Sequence, residues 1–215
     1  MSVDPAVFSA TSEKGWVHTV CDRRFWLPCP RALPAGFDPG SWAADMSAGW
    51  WHISGLPYEQ NTVDRLAAML RVIHDEAYAT VPCHQVWIYV RDPAVLPIPL
   101  RIGIWKMAGN RDERLLALSG AKDVLAAWPP LVAELKVGRL GAGVRAIRHV
   151  SADDGSLRAT LGYGLRAAEF ETDIQVLATS ADPAALVRAA PDLDDFIRGM
   201  SVYRKPSLAG EKGAA

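Results

Sequence analysis

Ser156-Leu157-Arg158-Ala159-Thr160-Leu161-Gly162-Tyr163-Gly164-Leu165 is the stretch whose reading decides the fold. Leu157, Ala159, Leu161, Tyr163 and Leu165 alternate with polar or small residues. Strand side chains point to opposite faces with period two, so this pattern predicts a strand with one buried face. Upstream, residues 144–150 read as a second strand, followed by Ser151, Ala152, Asp153, Asp154 and Gly155. Asp-Gly suits a turn with positive φ, so the two strands form a hairpin with a slightly long loop. Downstream, Ile174, Val176 and Ala178 alternate with Gln175, Leu177 and Thr179, and residues 169–173 supply the second turn. Three antiparallel strands over 144–179 leave an apolar face that the rest of the chain must cover.

Two helices are the expected cover. From Thr62, read as the N-cap, Val63, Leu66, Leu70, Ile73 and Ala77 recur at three- and four-residue steps, with Met69 broadening the stripe and Pro82 as the stop. Near the end, Asp182-Pro183 is a helix start, Pro191-Asp192 restarts the helix, and Leu193, Phe196, Ile197 and Met200 form its stripe. Short strands are expected at 16–20 and 24–27. Prolines 28, 30, 34 and 39 then mark an irregular segment leaving the sheet. Residues 41–47 read as a short helix and 49–53 as an aromatic, strand-like piece. Residues 85–90 and 100–107 read as a strand pair joined across a proline-rich connection. Residues 111–118 and 121–128 read as helix, with Leu131, Val132 and Leu135 continuing an apolar stripe beyond Pro129. The fold class expected is α+β, a single antiparallel sheet with amphipathic helices packed on it over residues 16–203. Residues 1–15 are expected to be a loose lead and 204–215 a disordered tail.

Half of the 215 residues are hydrophobic, enough for a sizeable core and against wholesale disorder. The net charge is -1 and the charges are interspersed, which argues against a nucleic-acid or anionic-membrane surface as the main purpose. Three cysteines, Cys21, Cys29 and Cys83, have neither metal-like spacing nor an even count for a disulfide scaffold. No apolar h-region precedes Lys14, and no run approaches the roughly 18 residues of a membrane span. A cytoplasmic protein with reduced thiols is therefore expected.

Motifs for chemistry are sparse. His18, His52, His74, His84 and His149 show no i,i+4 pairing with another His or Cys, and Cys83-His84 alone does not make a zinc site. His74-Asp75-Glu76 lacks the second histidine of a zincin and reads as a polar helix face. Asp192, Asp194 and Asp195 read as carboxylates complementing a helix start. Gly138, Gly141 and Gly143 lack the order of a phosphate-binding loop, so no cofactor is expected. Eight tryptophans stand out: Trp16, Trp26, Trp42, Trp50, Trp51, Trp87, Trp105 and Trp128. Trp87 and Trp105 fall on the opposite parity from the aliphatics of their strands. If those strands have one wet face, Trp87, Tyr89, Arg101 and Trp105 project together as a partner-binding patch of hot-spot composition. If both faces are covered, the parity says nothing.

The Leu27-Pro28-Cys29-Pro30 and Pro34-Ala35-Gly36-Phe37 segments, the 144–179 meander and Asp192-Leu193-Asp194-Asp195-Phe196-Ile197 together resemble the PsbP-like fold. That fold is shared by a photosystem II extrinsic subunit, a Ran-binding nuclear import factor and actinobacterial LpqN-type proteins. The resemblance implies a non-catalytic adaptor of a bacterial, actinobacterial-type system that engages another protein, while the aromatic patch, as an exposed apolar sheet face, would equally serve a homodimer. The competing class is an enzyme or small-molecule receptor with a pocket between sheet and helix. For that class His52, His74, Cys83 and His84 are the first residues to test, since catalytic groups assemble from distant positions.

Overall fold

Alternation with period two becomes one seven-stranded sheet. The computed structural model describes residues 15–79, 82–151 and 155–204. At its centre β6 (Gly141–Ser151), β7 (Leu157–Ala167) and β8 (Thr172–Ser180) form the expected meander, a little longer at each end. β5 (Leu131–Val137) flanks β6. On the other side of β8 come β4 (Ile98–Lys106), β3 (Gln85–Tyr89) and β2 (Trp26–Cys29). The order is β2-β3-β4-β8-β7-β6-β5, every neighbouring pair antiparallel. The fold is thus mixed α+β, as read from the sequence.

Both faces of this sheet are covered. On one face, Ala159, Leu161, Tyr163 and Leu165 of β7 join Ile174, Val176, Leu100, Ile102 and Ile104 under α4 (Pro183–Arg198). A two-stranded ribbon of β1 (Gly15–Thr19) and β9 (Met200–Arg204) closes that core with Val17, Met200 and Val202. On the opposite face, Leu27, Cys29, Val86, Ile88 and Val90 pack under α1 (Pro39–Ser54) and α2 (Gln60–Ala77) in a second core. Farther along the same face lies α3 (Arg111–Ser119), so close that β7 carries glycine beneath it. A Cβ at Gly162 would stand 2.2 Å from the Ser119 carbonyl oxygen, and one at Gly164 the same distance from that of Leu115. The obstacles are backbone atoms and cannot swing aside. Gly164→Ala is expected to destabilise the protein by about 1–3 kcal/mol through overpacking, read as a lower urea midpoint with unchanged slope.

Several local expectations are corrected. Residues 41–47 and 49–53 are a single helix, α1. Asp38 caps it by accepting from the Gly40 and Ser41 amides, Pro39 occupies the first turn, and Gly55 ends it at φ 69°. Trp42, Ser47, Trp50 and Trp51 are buried at helical spacing, which overrides the β preference of the aromatic run. α2 begins at Gln60, so Thr62 lies inside its first turn, its hydroxyl bonded to Glu59. Residues 121–130 are not helical, and the Leu131 to Leu135 stripe belongs to strand β5. α3 stops at Gly120 in the left-handed conformation, and Pro129-Pro130 has no amides with which a helix could run on into residues 131–135. Pro28 lies within β2 rather than in a segment leaving the sheet. β1 pairs with β9, a strand beyond the C-terminal helix, and not with β2. α4 runs through Pro191 without a restart. Gly15 belongs to β1 and Arg204 to β9. The remainder of the expected loose lead and tail, residues 1–14 and 205–215, lies outside the described residues, as do residues 152–154 of the expected hairpin loop. Among the described residues no helix is long and apolar enough to cross a membrane.

Candidate functional site

A pocket of about 640 Å³ opens where β3 and β4 end. Tyr89 and Ile98, directly paired across the two strands, form part of its wall. The connection between the strands contributes Val90 through Pro93 and Val95 through Pro97, and α4 contributes Ala185, Arg188 and Ala189. Leu56, just after α1, completes the lining. Alanines one turn apart at 185 and 189 leave the space that larger side chains would fill. Proline at 93 and 97 stiffens the connection, and Asp92 accepts from the Ala94 amide at 2.8 Å to shape its turn. Arg65 of α2 anchors the same turn, its Nη2 donating to the Pro93 carbonyl at 3.2 Å.

The polar groups at this pocket have definite partners. The Tyr89 hydroxyl donates to Asp192, and Arg91 Nη1 lies 2.5 Å from the same carboxylate oxygen. Arg91 also lies over the Phe25 ring, 5.2 Å from its centroid. Arg188 stands one turn before Asp192 on α4, 66% exposed, with Asp182 at 3.6 Å. The pocket is therefore largely apolar inside, with two exposed guanidinium groups at its edge, each ion-paired to an aspartate, of which Arg188 holds the looser pair and is the freer to turn to an anionic group.

A second tyrosine uses α4 in the same way. Tyr163, buried at the centre of β7, donates to Asp194 at 2.8 Å, and Arg145 of β6 reaches the other carboxylate oxygen at 2.6 Å. Asp192 and Asp194 thus lie inside α4 and tie it to the sheet. The expectation that they complement a helix start is overturned, whereas Asp195 only pairs with Arg198 on the surface. Burial, reinforced by the Asp192 hydrogen bond, pushes the Tyr89 phenol up to about 12. Burial likewise raises Tyr163 and Tyr78. A phenol raised in the fold stabilises it fully below the unfolded value near 10, and that contribution is lost as pH climbs through the folded value. The urea midpoint is expected to fall progressively above about pH 10. Tyr89→Phe should remove the part of the decline that lies between about pH 10 and pH 12; a midpoint indifferent to alkali would contradict the buried placement.

The four residues of the expected aromatic patch do not share a surface. Trp87 pairs with Leu100 and Tyr89 with Ile98, so both face α4, while Arg101 and Trp105 face α2 and α3. Trp87 is half-buried at 5.6 Å from Phe196, with Arg23 over its ring. Tyr89 is buried and lines the pocket. Trp105 lies buried over Gly103, edge-on to His84. Arg101 donates to the Ala77 carbonyl at the C-terminus of α2, where a cation meets the negative end of the helix.

The alternative catalytic candidates are also dispersed. His52 is exposed on the last turn of α1, and His74 packs against Trp42. His84 Nδ1 accepts from the Ile104 amide at 2.9 Å. Cys83 is buried, and burial raises its thiol pKa, the reverse of what a nucleophile requires. Of the pocket residues sequence reasoning singled out Tyr89 and missed the rest, although two signals were present. Arg188 and Asp192 stand four apart on α4, and Ala185 and Ala189 form a parallel stripe of small residues.

No family model matches the chain, and no curated protein does. Among solved structures it is similar to LpqN, described as involved in cell envelope biogenesis of Mycobacterium tuberculosis. The identity is 9% and the TM-score 0.44, over 87% of this chain and 83% of that one. Of the expected resemblance, the comparisons therefore bear out a weak structural likeness to an LpqN-type protein, and nothing about activity follows from it.

Proposed function

We propose that this chain is a non-catalytic binding protein whose pocket takes an amphipathic anion. The aliphatic body lies between the β3–β4 connection and Ala185 and Ala189, and the anionic head meets Arg188 and Arg91. The observation that carries this reading is the pairing of an aliphatic interior with guanidinium groups at the mouth. The other polar groups at and behind the lining support binding over chemistry. Tyr89 stays protonated at neutral pH, Asp192 is shared between Tyr89 and Arg91, and Asp92 holds a turn.

A second reading keeps the adaptor expected from the sequence. A partner protein could supply the same chemistry through an aliphatic side chain beside an acidic one. Leu96, 61% exposed at the mouth, favours a ligand that continues along the surface.

The test is calorimetric titration with decanoate, decanol and a short Leu-Glu-rich peptide. Decanoate is expected to bind and decanol to bind roughly tenfold or more weakly, since hydrogen bonds to charged groups contribute about 1.5–3 kcal/mol. Arg188→Ala should reduce that preference severalfold, leaving what Arg91 contributes, and Ala189→Phe should block binding by filling the pocket. Preference for the peptide over decanoate selects the adaptor reading. If none of the three binds, or if Ala189→Phe leaves binding intact, the pocket is not the site.

A further inference from the structure

We infer that β5 is a self-pairing edge, through which a second copy of this chain extends the sheet across a two-fold axis. The two edges of the sheet differ. β2 is four residues long and contains Pro28, which offers no amide hydrogen to a neighbour. β5 is seven residues long, contains no proline, and ends the sheet on the other side. Its Leu131 is 71% and Val132 49% exposed, and Trp128 just before it is also exposed. Among the described residues no strand pairs with its outer side, and an edge strand with apolar flanks is a ready template for another strand.

The edge is held in place from behind. β5 pairs with β6 along its whole length, from Leu131 opposite Ile147 to Val137 opposite Gly141. The preceding segment is fixed by the Ala127 amide donating to the His149 carbonyl at 2.7 Å, and by an ion pair between Asp123 and the buried Arg148. A partner strand would meet a formed template and would not have to order one.

Charge and proline select the occupant and its register. In an antiparallel pair that keeps the helical layers on the same side, opposite residues share parity. A two-fold axis at Glu134 sets Glu134 against its own copy, and one at Lys136 does the same for lysine; like charges directly opposite are destabilising. An axis at Ala133 or earlier brings Pro130 into the ladder. An axis at Leu135 avoids all of this, with a ladder over residues 133–137 that leaves Leu131, Val132 and Trp128 just beyond its ends. It sets Glu134 opposite Lys136 of the second copy and Lys136 opposite its Glu134, with Ala133 and Val137 paired on the other face. Glu134 and Lys136 are both exposed, so the two ion pairs form without burying a charge. Lys136 discourages promiscuous pairing at the edge and is complemented only in this register.

Sedimentation velocity on the full chain tests the inference. A monomer–dimer equilibrium is expected. Glu134→Lys and Lys136→Glu should each raise the dimer dissociation constant roughly tenfold or more, because each turns two attractive cross-strand pairs into repulsive ones. The double variant Glu134→Lys/Lys136→Glu should restore it. Both positions are exposed, so circular dichroism should show every variant folded. A chain that stays monomeric at all concentrations overturns the inference. So does a dimer indifferent to the single reversals, or one that the double variant fails to restore. Decanoate binding at the pocket is unaffected by these substitutions, so the two proposals fail separately.

Discussion

Replacing Asp173 with asparagine is expected to cost about 3–5 kcal/mol of stability, the range for breaking a buried ion pair by removing one partner. The Asp173 side chain is 0% exposed, in β8 opposite Trp105 on one neighbouring strand and Arg166 on the other. Arg166 grips it with two nitrogens at 2.6 and 3.1 Å, and Arg114 of α3 approaches at 3.2 Å. The Ala108 amide donates to the same carboxylate. Asparagine matches its shape and removes the charge that the nearly buried Arg166 and Arg114 guanidinium groups share. Urea unfolding followed by tryptophan fluorescence reads the loss. Asp173→Leu with Arg114→Met and Arg166→Met should recover part of it, since this carboxylate and the two guanidinium groups that grip it are removed together. Recovery stays partial because Arg166 also serves the Ala108 and Gly109 carbonyls. A single Asp173→Asn variant as stable as the parent would show that the carboxylate contributes nothing through its charge.

Leu70→Asp is expected to be at least as damaging, about 4 kcal/mol or more, because it places an unpaired carboxylate in the second core. Leu70 is 0% exposed on the inner face of α2, with Leu66 one turn before it and Val63 on the same face. An unchanged unfolding midpoint would mean that this helix face is open to water. The result matters because the stripe was read from spacing alone. Apolar residues at three- and four-residue steps have one physical solution in water, a helix with that side covered.

The same logic explains where the sequence misled. Trp50, Trp51 and Ile53 carry β preference, yet Asp38-Pro39 and Gly55 bracket a helix, and the capping signals prevailed. β5 alternates only from Glu134 to Val137, and Val132 puts an apolar residue on its polar parity, so Leu131, Val132 and Leu135 read as a helical stripe. The candidate site was harder to see than the fold. Whether Trp87 and Trp105 faced water depended on what lay over the sheet, and parity within a strand carries no record of it. Pairing Trp87 with Leu100 put it on the α4 side, while Trp105 fell under α3. The pocket needed Tyr89, Arg188 and Asp192 to meet across about a hundred residues of chain. Local periodicity does not encode such meetings. Only the helix half of the arrangement, Arg188 and Asp192 four apart with Ala185 and Ala189 alongside, was written locally.

The ribbon of β1 and β9 has a kinetic consequence. Gly15 lies opposite Arg204 and Thr19 opposite Met200, so its first strand waits for almost the whole described chain before it can pair. On a ribosome, α1 and α2 can fold onto each other early, whereas Val17 stays in water until Val202 has emerged. Loop-closure entropy grows only slowly with loop length, so this delay costs little stability in the finished molecule. It costs time, because contacts this remote in sequence belong to slow folders. Amides of β1 should therefore gain hydrogen-exchange protection among the last during refolding, after those of β7 and β8.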